Sequence, residues 1–150
     1  MKKNLIISAL CGLICQLMMA AAPKATAQRV DSITLAGYVG HRYMQCLEHR
    51  VKTENLDTLI SVFREQNEEN NGWRSEFWGK WVQGAIGMYR YTHDEQLRDI
   101  IRQAQDGLIA CQLPNGYLGN YDAQHQLTGW DVWGRKYTIL GLLKWYLETG

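Results

Sequence analysis

The sequence predicts an all-α protein organised as a chain of helical hairpins. Three observations carry that prediction. Only two prolines occur in 150 residues. Apolar side chains recur at helical spacing through most of the chain beyond its N-terminal region, and no alternating apolar–polar run of strand length is present.

A first helix is predicted from about Leu35 to Val51, with Val39, Tyr43, Met44 and Leu47 on one side; Gly37 and Gly40 blur its start. A second runs from about Leu56 to Glu65, where Leu56, Leu59, Ile60 and Phe63 keep the i, i+3, i+4, i+7 pattern. The polar run Gln66 to Gly72 ends it. The third should begin near Ser75, carry Trp78, Trp81, Val82, Ala85, Met88 and Tyr89 on one broad face, and stop at Thr92. Thr92-His93-Asp94-Glu95 has the form of a capping box opening the fourth helix, whose inward residues should be Leu97, Ile100, Ile101, Ala104 and Leu108. Leu113-Pro114-Asn115-Gly116 stops that helix, because proline cannot continue it and Asn-Gly favours a tight turn. Tyr117 to Thr128 reads as an ordered loop. A fifth helix follows from about Asp131 to Glu148, through Val132, Tyr137, Leu140, Leu143 and Tyr146–Leu147. Trp130, Trp133, Ile139, Leu142 and Trp145 add apolar surface around it, so it needs neighbours on more than one side. Short connections make successive helices antiparallel.

The N-terminal region reads as an export signal. Lys2 and Lys3 precede an apolar run from Leu5 to Ala22, and Ala25-Thr26-Ala27 offers the small residues that a signal peptidase requires. Residues 1–27 are expected to be the signal, with a mature chain from Gln28 in the periplasm or outside the cell. The competing reading is a membrane anchor, since the run approaches spanning length; Ser8 and Gln16 weaken it, and no membrane span is expected after cleavage. Lipid attachment is disfavoured because Leu10 and Ile14, not small residues, precede Cys11 and Cys15. The mature chain then keeps Cys46 and Cys111, too few for a disulfide framework. Cys111 reads as a buried free thiol, with a bridge to Cys46 as the alternative.

A formal net charge of +1 argues against a nucleic-acid partner. Six tryptophans and eight tyrosines stand against two phenylalanines. Rings with a polar edge suit sugars, whose C–H faces stack while their hydroxyls need partners, although ordinary helix packing uses the same residues.

Two clusters join aromatics to charged and amide side chains at loop-to-helix junctions, where free backbone donors face the helix mouth. One is Trp73-Arg74-Ser75-Glu76-Phe77-Trp78-Gly79-Lys80-Trp81. The other runs from Gln112-Leu113-Pro114-Asn115-Gly116-Tyr117-Leu118-Gly119-Asn120-Tyr121 to Trp130-Asp131-Val132-Trp133-Gly134-Arg135-Lys136-Tyr137. In this order, with Thr92-x-Asp94-x-x-Leu97 between them, the motifs resemble glycoside hydrolase family 127, the β-L-arabinofuranosidase-like proteins. The resemblance covers roughly Leu35 to Gly150. It implies the first part of an (α/α)6 barrel catalytic domain, export, a carbohydrate substrate and retaining hydrolysis of L-arabinofuranosides. It also implies, for the full-length enzyme, a zinc-bound cysteine nucleophile and a glutamate acid/base. Those groups lie beyond the matched region, so no catalytic residue, metal ligand or cofactor is assigned within this segment. Trp133 stands where characterised arabinofuranosidases carry a histidine, which points to a branch with another substrate.

The candidate substrate-binding residues are Glu76, Trp78, Tyr117, Asn120, Tyr121, Asp131, Trp133 and Arg135. Each has a structural alternative. Glu76 is favoured in a first helical turn by the macrodipole alone. Asp131 is a natural N-cap. Arg135 and Lys136 could bind ring hydroxyls or hold Asp131 or Glu76 in an ion pair, and Trp78 and Trp133 suit a core. Glu76 and Asp131 would meet if both helix starts open at one end, as a retaining glycosidase's reacting groups must, about 5 Å apart. His41, His49, His93 and His125 lack the i, i+4 spacing of metal ligands.

Twelve helices of about 11 residues joined by connections of about 5 need roughly 190 residues, so the sequence is expected to hold an incomplete barrel, inactive alone. Two other readings compete: a different helical-barrel carbohydrate enzyme acting on uronates through Arg135, such as an unsaturated glucuronyl hydrolase or a lyase, and a non-catalytic glycan-binding module. Oligomeric state is not readable.

Overall fold

The computed structural model describes residues 32–69 and 72–150. The expected signal segment, 1–27, lies outside them. Five α-helices follow in order: α1 (Gly37–Cys46), extended by a π-helical segment (Leu47–Val51), α2 (Leu56–Glu65), α3 (Ser75–Thr92), α4 (Glu95–Ile109) and α5 (Asp131–Thr149). The only β pairing among the described residues is an isolated bridge between Glu68 and Tyr121. The chain is all-α, as its periodicity requires.

Local chemistry sets the helix ends. Asn55 caps α2 by accepting from the Thr58 N–H at 3.1 Å, and Gln66 ends it in the left-handed region. Between α3 and α4 the expected capping box is replaced by a different cap. Thr92 belongs to α3 and donates its hydroxyl back to the Met88 carbonyl, His93 turns left-handed, and Asp94 accepts from the Leu97 N–H at 2.9 Å. A carboxylate has no proton to donate back to Met88, so it wins the cap.

The first helix differs from expectation in its inward face. Val39 and Met44 are exposed, while Gly40 and Leu47 are buried, so the side toward the core is narrower than the apolar pattern implied. Phe63 of α2, Trp78, Val82 and Ile86 of α3, and Leu97, Ile101 and Leu108 of α4 form the core. Each such side chain contributes roughly 1.5–3 kcal/mol by leaving water. Trp78 is wholly buried and meets the Phe63 ring edge-on, and its indole N–H donates to the Ala104 carbonyl at 3.1 Å. That bond ties α3 to α4 in an antiparallel hairpin.

Helix α3 packs against α2, α4 and α5, and its longest interface is with α5. Here the direction is parallel: Ser75 lies against Gly134, Gly79 against Tyr137, Val82 against Gly141, the Gln83 carbonyl against Lys144, and Arg90 pairs with Glu148. Small residues make this approach feasible. A Cβ at Gly141 would come within 2.6 Å of Val82 and 2.7 Å of Trp78. Up, down and up again is the direction sequence of helical hairpins in an (α/α)6 barrel.

The inward face of α5 is therefore Asp131, Gly134, Thr138 and Gly141, not the large residues the sequence pattern put there. Val132, Leu140, Leu143, Tyr146 and Leu147 are exposed, together with Ile139 on another flank. The broad apolar girdle of α5 is as expected: α3 covers its small-residue stripe, Leu142 and Trp145 are half-buried against the core, and the rest is exposed.

Candidate functional site

The starts of α3 and α5 lie side by side, and the loop of residues 110–130 is folded over them. Asn115 accepts from the Tyr117 N–H at 3.0 Å, and the Leu113 N–H donates to the Tyr117 carbonyl at 3.0 Å, so the Pro-Asn-Gly turn aims Tyr117 inward. Its hydroxyl donates to Asp131 Oδ1 at 2.9 Å and accepts from the Tyr121 N–H at 3.0 Å. Burial pushes that hydroxyl well above the ordinary tyrosine range, and the adjacent Asp131 acts in the same direction, so the proton stays in place to be donated. The Tyr121 hydroxyl accepts from the N–H groups of Gly72 (3.0 Å) and Trp130 (3.1 Å). Asn120 donates to the Gly72 carbonyl at 2.9 Å.

These contacts give four of the candidate residues structural partners. Tyr117, Asn120, Tyr121 and Asp131 are buried, and their hydrogen bonds fasten the loop to the two helix starts, while Tyr117 also lines the recess beside Arg135. Asp131 is not an N-cap. It is the first residue of α5, and its Oδ2 accepts from the Leu127 N–H at 2.7 Å with Arg135 3.5 Å away. Sequence patterning placed these residues on a loop but could not reveal that the loop closes over its own polar groups. Trp78 is likewise core and has no face to offer a sugar.

Glu76 and Trp133 do come together. The Trp133 indole N–H donates to Glu76 Oε2, and Lys80 Nζ donates to Glu76 Oε1 at 2.7 Å. With Trp73 and Trp130 they line an open recess of about 190 Å³. Trp73 and Trp130 keep 45% and 44% of their surface exposed, enough for a ring face to meet a ligand. Trp130 and Tyr137 both stand edge-on to Trp133, and the Lys136 ammonium lies 3.5 Å from the Trp133 ring centroid. Trp73 and Lys80 were absent from the sequence-derived candidates, and Lys136 was weighed there only beside Arg135. Their signal was the i, i+4 spacing of Glu76 with Lys80 and the three-residue spacing of Trp130, Trp133 and Lys136, which groups them on one side of a helix.

Burial pulls the Glu76 carboxyl upward, but hydrogen bonds from Lys80 and Trp133 and the charges of Lys80 and Lys136 outweigh it and hold the group below its ordinary range. An ionised carboxylate accepts hydrogen bonds from hydroxyls and cannot serve as a proton donor. Asp131 belongs to a separate network, with Tyr117 and the Leu127 N–H as its partners.

Arg135 occupies a second position. Its guanidinium lies over the Tyr117 ring at 5.5 Å, and with Tyr117 it borders a larger recess, about 450 Å³, shared with Gln112, Asn115, Gln126 and Ile139. This recess is roomier but lacks exposed rings, so the aromatic recess is the better sugar platform.

The model of the β-L-arabinofuranosidase GH127 catalytic domain matches residues 25–150. The chain belongs to this family. No curated protein and no solved structure matches it. GH127 membership makes the chain glycoside-hydrolase-like, with a carbohydrate as the expected substrate, and agrees with the helical-hairpin architecture. Within this GH127 domain, no group of three or more His, Cys, Asp or Glu side chains among the described residues is placed to hold a metal. Cys111 is half-buried and turns its thiol to the Gly107 carbonyl, Cys46 is exposed, and both are free. No helix among the described residues is long and apolar enough to cross a membrane.

Proposed function

We propose that this chain supplies a sugar-binding wall of an exported, periplasmic or secreted, glycoside hydrolase acting on arabinofuranoside-containing glycans. Bond cleavage falls to groups other than Glu76 and Asp131, so the polypeptide alone is inactive. One observation carries the reading: the exposed Trp73 and Trp130 rings flank an ionised Glu76 held between Lys80 and Trp133. A ring face stacks on sugar C–H groups, while an adjacent carboxylate and ammonium accept from and donate to neighbouring hydroxyls. The N-terminal Lys2-Lys3, apolar run and Ala25-Thr26-Ala27 support export.

The test is binding and turnover by a purified 28–150 polypeptide. Arabino-oligosaccharide should bind, and Trp130→Ala should weaken binding about three- to tenfold, as loss of one stacking face of ~1 kcal/mol implies. Release of arabinose from an aryl β-L-arabinofuranoside by that polypeptide would overturn its assignment as a non-catalytic wall.

A further inference from the structure

We infer that a recess on the first helix, lined by Arg42, Gln45, Cys46, His49 and Arg50, binds the oxyanion groups of an acidic oligosaccharide, uronate carboxylates or sulfate esters. The site is separate from the aromatic recess, and only its choice of a glycan rests on the sugar-binding reading. The recess measures about 430 Å³, and all its lining residues come from α1 and the π-helical segment that extends it. Two guanidiniums line it and no carboxylate does. Neither Arg42 nor Arg50 forms an ion pair among the described residues. Arg42 donates only to the neutral Gln45 amide, at 2.8 Å. Glu48, the carboxylate nearest in sequence, is held by Lys52 at 2.9 Å, and Lys52 pairs with Asp94 as well. The lining itself therefore carries two positive charges that nothing in it neutralises.

The backbone supplies a second, independent observation. Leu47–Val51 is a π turn, closed by the Lys52 N–H on the Leu47 carbonyl at 3.0 Å. Such turns are rare and are frequent at functional sites. Here the wholly buried Leu47 and the ion pairs of Lys52 hold the turn, while His49 and Arg50 stay exposed. The helix macrodipole favours cations in a last turn, but only with about half a charge and only within that turn. It accounts for His49 and Arg50 and not for Arg42, which lies two turns earlier. The same half charge opposes an incoming anion, and two guanidiniums exceed it. Their planar forks match oxyanions through paired hydrogen bonds. Arg42 and Arg50 are separated by roughly 12 Å of helix, which favours a chain charged on successive units over one small ion. Gln45 and His49 offer an amide and an imidazole to the hydroxyls between. GH127 membership selects a glycan among such chains.

Residues from Leu35 onward form one compact unit, so the 28–150 polypeptide keeps the recess whole. The experiment is its calorimetric titration with trigalacturonate and the methyl ester of that sugar, and with a sulfated galacto-oligosaccharide and its desulfated form. At least one acidic ligand should bind about three- to thirtyfold tighter than its neutral form at low salt, the range for two exposed charge contacts. Which of the two does so names the oxyanion. The preference should shrink near 1 M salt, where the screening length is about 3 Å. Arg42→Gln together with Arg50→Gln should abolish it at an unchanged melting temperature, since both side chains are exposed. Trp130→Ala should leave the ratio of acid to neutral affinity intact. The bound acid should also slow alkylation of the exposed Cys46 by iodoacetamide and leave that of Cys111, whose thiol faces the Gly107 carbonyl, unchanged. Equal affinity for acidic and neutral forms, a preference that survives the double substitution, or an unprotected Cys46 overturns the inference; a neutral arabino-oligosaccharide that still binds then leaves the sugar-wall reading standing. Acid binding through Arg42 and Arg50 without any neutral-sugar binding does the reverse. Inorganic sulfate or hexaglutamate that binds as tightly as the acidic sugar overturns the glycan as occupant.

Discussion

Tyr117 donates its hydroxyl to Asp131 Oδ1 across 2.9 Å while the same oxygen accepts from the Tyr121 N–H. One side chain thus joins the entry of α5 to the loop that covers it. Tyr117→Phe removes the donor to a buried carboxylate and the acceptor for a buried N–H, at almost unchanged volume. Buried groups left unpaired cost about 1–3 kcal/mol each, so the variant should lose roughly 2–4 kcal/mol in urea unfolding. Far-ultraviolet circular dichroism should stay helical. An unchanged denaturation midpoint would show that this network does not secure the loop.

The parallel α3–α5 interface makes opposite predictions for two glycines. A methyl at Gly141 would meet Val82 and Trp78 in the core, so Gly141→Ala should destabilise by about 1–3 kcal/mol through overpacking. Gly84 lies on the exposed side of α3 with nothing near its Cβ direction, and Gly84→Ala should stabilise by about 0.5–1 kcal/mol through helix propensity. Thermal melts of the two variants side by side decide the matter; a shift in the same direction for both would contradict the close approach.

The helices were legible because their signal is local. The boundaries of α2 and α3 follow from apolar spacing together with Asn55 and the polar run at Gln66, and α5 was displaced by a single residue at its end. What the sequence concealed was non-local. Val132, Leu140 and Leu143 form a convincing apolar stripe on α5, yet its packed side is Gly134, Thr138 and Gly141, because parallel contact with α3 rewards small residues over large ones. The site divided the same way. Glu76 and Trp133 met, being at the starts of adjacent helices, whereas Tyr117 bonded Asp131 and the Tyr121 N–H, and Asn120 and Tyr121 bonded the backbone at Gly72. Polar residues on a loop look the same in sequence whether they face solvent or each other.

Asp94 has two roles that pH can separate. It caps α4 through the Leu97 N–H and pairs with Lys52 at 2.5 Å. The hydrogen bond from Lys52, then that from Leu97, holds its carboxyl below the ordinary range against the opposing effect of burial. A depressed carboxylate contributes stability that is fully present above its unfolded pKa, about 3.9, and is lost as pH falls through the lower folded value. The parent should therefore weaken as pH falls below about 4. Asp94→Asn retains a good cap while losing the charge. It should cost a modest amount at pH 7 and flatten the acid limb of stability against pH. A parallel, vertically displaced limb would mean that other carboxylates set the acid sensitivity.

Trp133→Phe tests the electrostatics of the recess directly. The ring and its edge-on contacts with Trp130 and Tyr137 are largely preserved, but the indole N–H that donates to Glu76 is gone. Glu76 then keeps Lys80 as its hydrogen-bond donor, and burial, which already pulls its carboxyl upward, meets less opposition. The Glu76 carboxyl resonance, followed by carbon-detected NMR against pH, should titrate higher in the variant than in the parent. Lys80→Met should move it in the same direction, and the two substitutions together further than either alone, since both donors favour the ionised form. An unshifted titration in Trp133→Phe would mean that the indole does not hold Glu76 ionised, and the recess would lose the fixed acceptor on which its recognition of hydroxyls depends.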